Sequence, residues 1–223
     1  MINIFIGYDE GEKIAYHVLC ESIRKKSSVP VSFTPLDLHT TRNIFTRDKL
    51  ANQSTDFAFN RFLVPYLSDY KGWSLFMDCD MLMRTDINIL WNQRDSDCAV
   101  QVCKHDYIPK QDVKFRGAKN EPFPKKNWSS FMLMNNEKCK ALTPEYVNTA
   151  TGLELHQFKW LPTEDLIGNI PLEWNWLVGE YEYNSMANNV HFTLGGPYFR
   201  DYENSDYADE WFEIYDNTVK TGL

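Results

Sequence analysis

The sequence contains no long apolar run, and this absence argues against an integral membrane protein. None of its hydrophobic stretches approaches the roughly 18 consecutive apolar residues that indicate a membrane-spanning helix. Residues 1–6 lack the basic start and long apolar core of a signal peptide. Repeats, low-complexity tracts and linkers that would divide the chain are also missing. Any membrane role is therefore expected to be peripheral.

The cysteine content is also too irregular for a zinc or disulfide scaffold. The chain has five cysteines, an odd number, and no pair of them has the CxxC spacing. Structural zinc sites and disulfide frameworks use paired cysteines at characteristic spacings. We therefore expect reduced thiols and a cytoplasmic location.

Basic residues are too few for a nucleic-acid-binding surface. Lysine and arginine number 23 against 31 acidic residues, which gives a net charge of −8. A protein that binds DNA or RNA through its phosphates needs a basic footprint, and a negative chain is disfavoured at an anionic membrane. We therefore expect no nucleic-acid partner.

The length and the apolar patterns of the sequence predict a single α/β domain over residues 1–223. That length suits one domain. The apolar run 2–6 predicts a buried strand, 14–23 has helical spacing, and 31–36 predicts a second strand. A β-α-β opening is typical of a sheet with parallel strands and helices on its faces. We predict one mixed, mostly parallel sheet flanked by helices.

The remaining elements are predicted from shorter patterns. Apolar spacing predicts a helix over 57–67, although Pro65 lies near its end. Short strands are predicted at 73–77, 99–103 and 131–134, a helix capped by Thr163 at 163–170, and an outer helix within 200–223. Residues 104–126 are polar, contain three prolines and have no period, so they predict a long loop insertion, a type that is often functional.

Two aspartates within an apolar run are the strongest chemical signal. Asp78 and Asp80 lie two residues apart in 75–83, and in an extended chain such residues point to the same face, with Cys79 facing away. Two close carboxylates repel each other and lose hydration, and a divalent cation such as Mg²⁺ or Mn²⁺ relieves both costs. Turn residues at a strand end are the alternative, because the DxD pattern alone is common.

A histidine near the end of the chain is the candidate third ligand. His191 lies in a predicted strand and is followed by Gly195 and Gly196. A neutral imidazole can complete a metal shell begun by two carboxylates, and the glycines allow backbone N–H groups to approach a phosphate. A packed or surface histidine is the alternative, and it is our interpretation of His17, His39, His105 and His156.

These motifs occur in an order that resembles the family 8 type glycosyltransferases, the group that includes glycogenin and bacterial galactosyltransferases. The matching segments span most of the chain. They are residues 6–9, Arg61 within 60–62, 76–80, 129–135, Glu164 with Asp165, 172–175, and 191–193.

The resemblance implies a GT-A fold and an Mn²⁺ ion (or Mg²⁺) held by Asp78, Asp80 and His191. It places the nucleotide at Tyr8 and Asp9, where a ring can stack on a base and a carboxylate can accept a base N–H. It also implies that Arg61 approaches the donor sugar and phosphate.

Two positions depart from the family pattern. The family often has a lysine soon after the late histidine that contacts the diphosphate, but residues 197–199 here are Pro-Tyr-Phe. Arg200, or a lysine from residues 119–126, is the expected substitute. The family's Asn-Ala-Gly before the late strand is Trp128-Ser129-Ser130 here, so the asparagine contact with the donor is lost.

The resulting hypothesis is a metal-dependent hexosyltransferase that moves a sugar from a nucleoside-diphosphate donor, expected to be a UDP-sugar, to an acceptor hydroxyl. The resemblance implies retention of anomeric configuration. Asp165 or Glu164 is the acid expected to face the sugar, as a polar contact or base, with an ordinary helix-start carboxylate as the alternative. Three classes of acceptor stay open at this point, namely a glycan, a lipid-linked sugar and a protein, and so does a homo-oligomer. A nucleotidyltransferase making nucleotide sugars and a non-catalytic carbohydrate-binding relative are the competing hypotheses.

Overall fold

A computed structural model of the protein describes residues 1–48 and 55–219. The strands are β1 (Ile2–Gly7), β2 (Val31–Leu36), β3 (Trp73–Met77), β4 (Met81–Met83), β5 (Val100–Cys103), β6 (Phe131–Asn135), β7 (Ile167–Ile170), β8 (Trp176–Leu177) and β9 (Asn189–His191). The α-helices are α1 (Lys13–Lys26), α2 (Leu38–Thr41), α3 (Val64–Leu67), α4 (Ile87–Trp91), α5 (Pro144–Thr149), α6 (Gly152–His156) and α7 (Ala208–Val219). Short 3₁₀ helices lie at Glu10–Glu12, Asn60–Leu63, Phe115–Gly117, Trp128–Ser130, Asn136–Lys138, Glu164–Leu166, Leu172–Trp174 and Arg200–Tyr202.

The larger sheet has the strand order β2-β1-β3-β6-β5-β7 in the described part of the chain. The pairs β1–β2, β1–β3 and β5–β7 are parallel, whereas β6 runs antiparallel to both of its neighbours. Its central strands β3 and β6 are buried almost throughout, because helices and loops cover both faces. The prediction of a mixed, mostly parallel sheet is confirmed.

A second, three-stranded sheet with the order β4-β9-β8 was not predicted. The chain leaves β3 at Met77, bends through residues 78–80 and continues as β4. Asp78 and Asp80 therefore follow directly after the end of β3 and form the bend between the two sheets. β4 pairs antiparallel with β9, with Met81 opposite His191.

Two predicted helices differ from the structure. Within 57–67, a 3₁₀ helix at Asn60–Leu63 leads into α3, so the predicted helix is shorter and only its second half is α-helical. Asn60 and Arg61 are buried. Pro65 lies in the first turn of α3, where its missing N–H costs nothing. The prediction of a helix over 163–170 is wrong, because four of these residues form β7, which pairs with β5. Thr163 makes no capping hydrogen bond. A short apolar run does not distinguish a strand from a helix.

The other predicted helices, strands and loop agree with the structure. The predicted outer helix is confirmed as α7, which packs on α1 through the buried Trp211, and residues 220–223 lie outside the described chain. Residues 104–126 (the 104–126 loop) contain only one 3₁₀ turn and an isolated bridge between Val113 and Lys119. All five cysteines are free thiols. No helix in the described residues is long and apolar enough to cross a bilayer.

A buried acid joins the start of α1 to the segment that follows β9. Glu12 is 1% exposed, and its Oε1 accepts a hydrogen bond of 2.6 Å from the Tyr198 hydroxyl. Its Oε2 is buried without a hydrogen-bond partner among the described residues. Burial, reinforced by the charge of Asp80, raises the pKa of Glu12 to about 8. The carboxyl is thus protonated at neutral pH in the folded protein and costs free energy when it ionises.

Replacing Glu12 by glutamine should flatten the pH dependence of stability. The folded-state pKa lies above the unfolded value, so folding favours the protonated acid, and the wild type loses stability as pH rises from about 4.5 to about 8. Glutamine keeps an oxygen for Tyr198 and cannot ionise. We expect Glu12→Gln to gain at least ~2 kcal/mol relative to wild type at pH 8 and little at pH 4.5, measured by denaturant unfolding in EDTA. The exposed Glu10→Gln is the control. A pH profile of Glu12→Gln parallel to that of wild type would contradict this account.

Candidate active site

The structure brings Asp78, Asp80 and His191 to one point. Their ligand atoms all lie within 4.8 Å of one another. The strand pairing causes this convergence, because Met81 lies opposite His191 and the Phe192 N–H donates to the Asp80 carbonyl at 2.8 Å. The two aspartates are near neighbours in sequence, and the pairing of β4 with β9 supplies the third residue from more than a hundred residues away.

The tautomer of His191 is determined by a chain of hydrogen bonds behind it. The amide nitrogen of Asn175 lies 2.9 Å from Ser130 Oγ and 3.4 Å from the Asn127 carbonyl oxygen, so its oxygen faces the histidine. His191 Nδ1 therefore donates to Asn175 Oδ1 at 3.0 Å. With Nδ1 engaged in this bond, Nε2 is the ring nitrogen that faces the site, 3.3 Å from Asp80 Oδ1. A hydrogen-bonded second nitrogen is the usual support of a metal-binding histidine.

The carboxylates have chemistry that suits a divalent cation. Asp80 is 8% exposed, and its Oδ1 is buried with no hydrogen-bond donor among the described residues. Burial raises the pKa of Asp78 to about 6, although the charge of Arg61 opposes this shift. Two crowded carboxylates beside a neutral imidazole form an O,O,N donor set of the kind that holds Mn²⁺ or Mg²⁺. The residues present therefore fit a resident divalent metal.

Arg61, predicted as a donor-binding residue, is held in the site by several contacts. Its guanidinium lies 2.8 Å from Asp78 Oδ1 and donates to the carbonyl of Ser129 at 2.9 Å. The group also lies over the ring of Phe76, at 4.9 Å from its centroid. These contacts keep a buried cation beside the carboxylate pair, which lowers the electrostatic cost of burying Asp78.

A cavity of about 1030 Å³ opens beside these residues. Its walls include Asp78, Asp80, His191 and Arg61, and residues of the 104–126 loop form another part of the wall. The loop is attached close to the histidine, because the Phe115 N–H donates to the Leu194 carbonyl at 2.7 Å. The volume is at the upper end of small-molecule sites, which span about 300–1,000 Å³. It has room for more than one small ligand.

The predicted nucleotide residues Tyr8 and Asp9 are near the cavity but are not among its lining residues. Asp9 is 4% exposed, and its carboxylate accepts from the Gly11 N–H at 2.8 Å. The same carboxylate pairs with Arg116 of the 104–126 loop at 3.3 Å. Tyr8 packs edge-to-face on Tyr16, with ring centroids 5.6 Å apart.

The two predicted phosphate-binding glycines pack against tyrosine rings. A β-carbon on Gly195 would lie 2.5 Å from the Tyr202 ring, and Gly195 has φ of +149°. A β-carbon on Gly196 would come within 2.1 Å of Tyr198. Both glycines are buried and lie outside the residues that line the cavity. Their small size is thus required by the fold here.

The predicted acids Glu164 and Asp165 lie on the surface. Both are exposed, and Glu164 pairs with Lys125 at 2.6 Å. Neither is among the cavity-lining residues. Arg200, one expected substitute for the family lysine, is also exposed and away from the cavity, whereas Lys126 lines it.

Sequence reasoning missed Lys114 and gave Asn175 no supporting role. Lys114 lines the cavity from the 104–126 loop, and burial lowers the pKa of its ammonium. No local pattern marks it, since the loop has no period. Asn175 stood in a matching segment, but its hydrogen bond to His191 depends on a contact between distant parts of the chain. His156, interpreted as packed, accepts or donates at 2.7 Å to Ser129, and burial lowers its pKa to about 3.

Comparison with solved structures identifies the fold. The bifunctional glycosyltransferase WbbM superposes with a TM-score of 0.70 at 14% identity, over 98% of this chain and 50% of that one. The galactosyltransferase LgtC, solved with donor and acceptor sugar analogs, gives 0.62 at 12% identity over 99% and 98% of the two chains. Mouse xyloside xylosyltransferase 1 gives 0.57 at 10% identity over 87% and 99%. The predicted GT-A fold of the glycosyltransferases is confirmed.

Sequence comparison gives a much closer relative. No family model matches the chain. Protein CDI of Arabidopsis thaliana is 44% identical over 219 residues, which cover 94% of this chain and 84% of that protein. At this identity and coverage, the chain belongs to the same family as Protein CDI of Arabidopsis thaliana.

Proposed function

We propose that this protein is a metal-dependent hexosyltransferase that moves a sugar from a nucleoside-diphosphate donor, a UDP-sugar, to an acceptor hydroxyl with retention of configuration. The observation that carries the proposal is the convergence of Asp78, Asp80 and His191 on the wall of a large cavity in a GT-A fold. LgtC has a similar fold and is described as a galactosyltransferase with donor and acceptor sugar analogs. This function is consistent with both the donor set and the size of the cavity.

Asp78, Asp80 and His191 would hold Mn²⁺ or Mg²⁺, and the ion would neutralise charge on the leaving diphosphate. Arg61 pairs with Asp78, and its fixed positive charge would act on the donor phosphates beside the ion. Asn175 and Ser130 keep His191 in the tautomer whose Nε2 can bind metal. Residues of the 104–126 loop form part of the cavity wall, and protein in place of water on that side strengthens each of these electrostatic interactions.

The remaining predicted site residues stay predictions. For Asp9 to accept a base N–H, the Arg116 guanidinium has to leave its carboxylate or share it. For Glu164 or Asp165 to face the sugar, the segment after Thr163 has to turn from the surface toward the cavity, which breaks the 2.6 Å pair with Lys125. The glycines 195 and 196 serve the donor only through the backbone, because their Cβ positions face tyrosine rings.

Binding of Mn²⁺ should stabilise the fold, and the stabilisation should depend on Asp80. A ligand that binds only the folded state adds about 2.7 kcal/mol at a free concentration of 100 times Kd. We expect a rise in Tm with Mn²⁺ for wild type and a loss of that rise in Asp80→Asn. Asp97→Asn, an exposed aspartate outside the cavity, is the matched control and should respond like wild type. A Tm rise of equal size in Asp80→Asn would show that the metal binds elsewhere.

A donor panel tests the reaction itself. The protein is incubated with UDP-, GDP- and ADP-sugars, with and without Mn²⁺, and release of nucleoside diphosphate and sugar is followed by ¹H NMR. We expect slow, Mn²⁺-dependent hydrolysis of a UDP-sugar, with the released sugar initially in the anomeric configuration of the donor.

Two other results would replace this function. Pyrophosphate released from a sugar phosphate and a nucleoside triphosphate would identify a nucleotidyltransferase. Sugar binding with no turnover of any donor, together with full function of Asp78→Asn in cells, would identify a non-catalytic carbohydrate-binding protein.

A further inference from the structure

The cavity contains two ammonium groups without carboxylate partners. Arg61 pairs with Asp78, and Arg116 pairs with Asp9. By contrast, the structure gives Lys114 and Lys126 no ion pair within residues 1–48 and 55–219. The Lys126 ammonium donates only to the backbone carbonyl of Glu121, at 2.8 Å, and the Lys114 ammonium makes no hydrogen bond there.

Lys126 is buried and Lys114 is half-buried, and neither forms an ion pair in the described residues. Lys126 is 9% exposed, and burial together with the charge of Lys114 lowers its pKa to about 8. Burial also lowers the pKa of Lys114. A buried ammonium without an ion pair is costly, and in a cavity wall this cost marks it as a candidate ligand-binding group.

Their surroundings define the charge of that ligand. Among the groups acting on Lys114, the carboxylates of Asp80 and Asp78 have the strongest attraction. A divalent cation held by those carboxylates cancels that attraction and leaves Lys114 facing positive charge. The strongest charge acting on Lys126 is that of Lys114 itself. With the metal bound, this part of the cavity requires a ligand with several negative charges, placed between the ion and the two lysines.

The two lysines also have fixed positions relative to the metal-binding histidine. Lys114 directly precedes Phe115, whose N–H is bonded to the Leu194 carbonyl three residues after His191. Phe115 also stacks on Phe199, with ring centroids 5.3 Å apart. The far side of the loop is anchored by the buried Glu180, which accepts from Asn120 at 3.1 Å and from the Lys110 N–H at 2.9 Å.

We propose that Lys114 and Lys126, both from the 104–126 loop, bind the diphosphate of the donor from the side opposite the metal, and that Lys114 stabilises the leaving nucleoside diphosphate. This inference rests on the proposed function. It assigns the phosphate contact to a loop before β6 instead of to the segment after His191. Donor binding would therefore connect this loop to the metal site.

The test compares UDP and uridine in the presence of Mn²⁺, using isothermal titration calorimetry on the full chain. We expect Lys114→Met to weaken UDP binding by about tenfold or more, since it removes a charged hydrogen bond, and to leave uridine binding unchanged. Lys126→Met should weaken UDP binding by about threefold to tenfold. Lys114→Arg keeps the charge and should restore most of the affinity.

Lys110→Met is the matched control. Lys110 belongs to the same loop, but its ammonium pairs with Glu182 at 3.3 Å on the surface, so UDP affinity should stay within about twofold of wild type. The Tm of each variant shows that it is folded. Wild-type UDP affinity in folded Lys114→Met, or equal losses for UDP and uridine, would overturn the inference.

A further arm separates this inference from the proposed function. If wild type binds neither UDP nor GDP with Mn²⁺, the proposed function fails, and inorganic pyrophosphate becomes the probe. Pyrophosphate binding that weakens in Lys114→Met but not in Lys110→Met would support an anion site at the two lysines. Absent or unchanged pyrophosphate binding would overturn it.

Discussion

The pairing of β4 with β9 is the interaction on which the site depends. It sets Met81 opposite His191 and connects the Asp80 carbonyl to the Phe192 N–H, so a carboxylate and an imidazole that are far apart in sequence meet at 3.3 Å. A shift of one residue in this register would turn His191 to the other face of its strand. β8 holds β9 from its other side, and Asn175, just before β8, reaches His191 Nδ1. The three-stranded sheet and the residue that precedes β8 thus determine the position and the orientation of the His191 ring.

Electrostatics accounts for the arrangement around that sheet. The bend at 78–80 places two carboxylates where little water reaches them, and Arg61 compensates for one of them. Asp80 Oδ1 has no donor among the described residues, and Lys114 and Lys126 have no acid partner there. A metal ion would balance the carboxylates, and a polyanion would balance the two lysines. The protein places both sets of charges on the walls of one cavity, an arrangement that would be preorganised for the proposed transfer.

The features that could be predicted from the sequence are those set by local patterns. The spacing of Ala15, Val18 and Leu19 indicated α1, and the apolar run before Asp78 indicated β3. The residue types of Asp78, Asp80 and His191 indicated a metal donor set. The features that could not be predicted depend on distant contacts. Ile167 and Ile170 belong to a strand only because β5 lies beside them, and Lys114 faces the cavity only because Phe115 is bonded to Leu194.

The most direct test of the central claim is a crystal structure of the protein with Mn²⁺ and UDP, with anomalous diffraction used to locate the manganese. The account predicts one anomalous peak in direct contact with carboxylate oxygens of Asp78 and Asp80 and with Nε2 of His191, and with the diphosphate of UDP on its open side. A peak bound by other residues, or ordered UDP in the cavity with no metal at these three side chains, would contradict it.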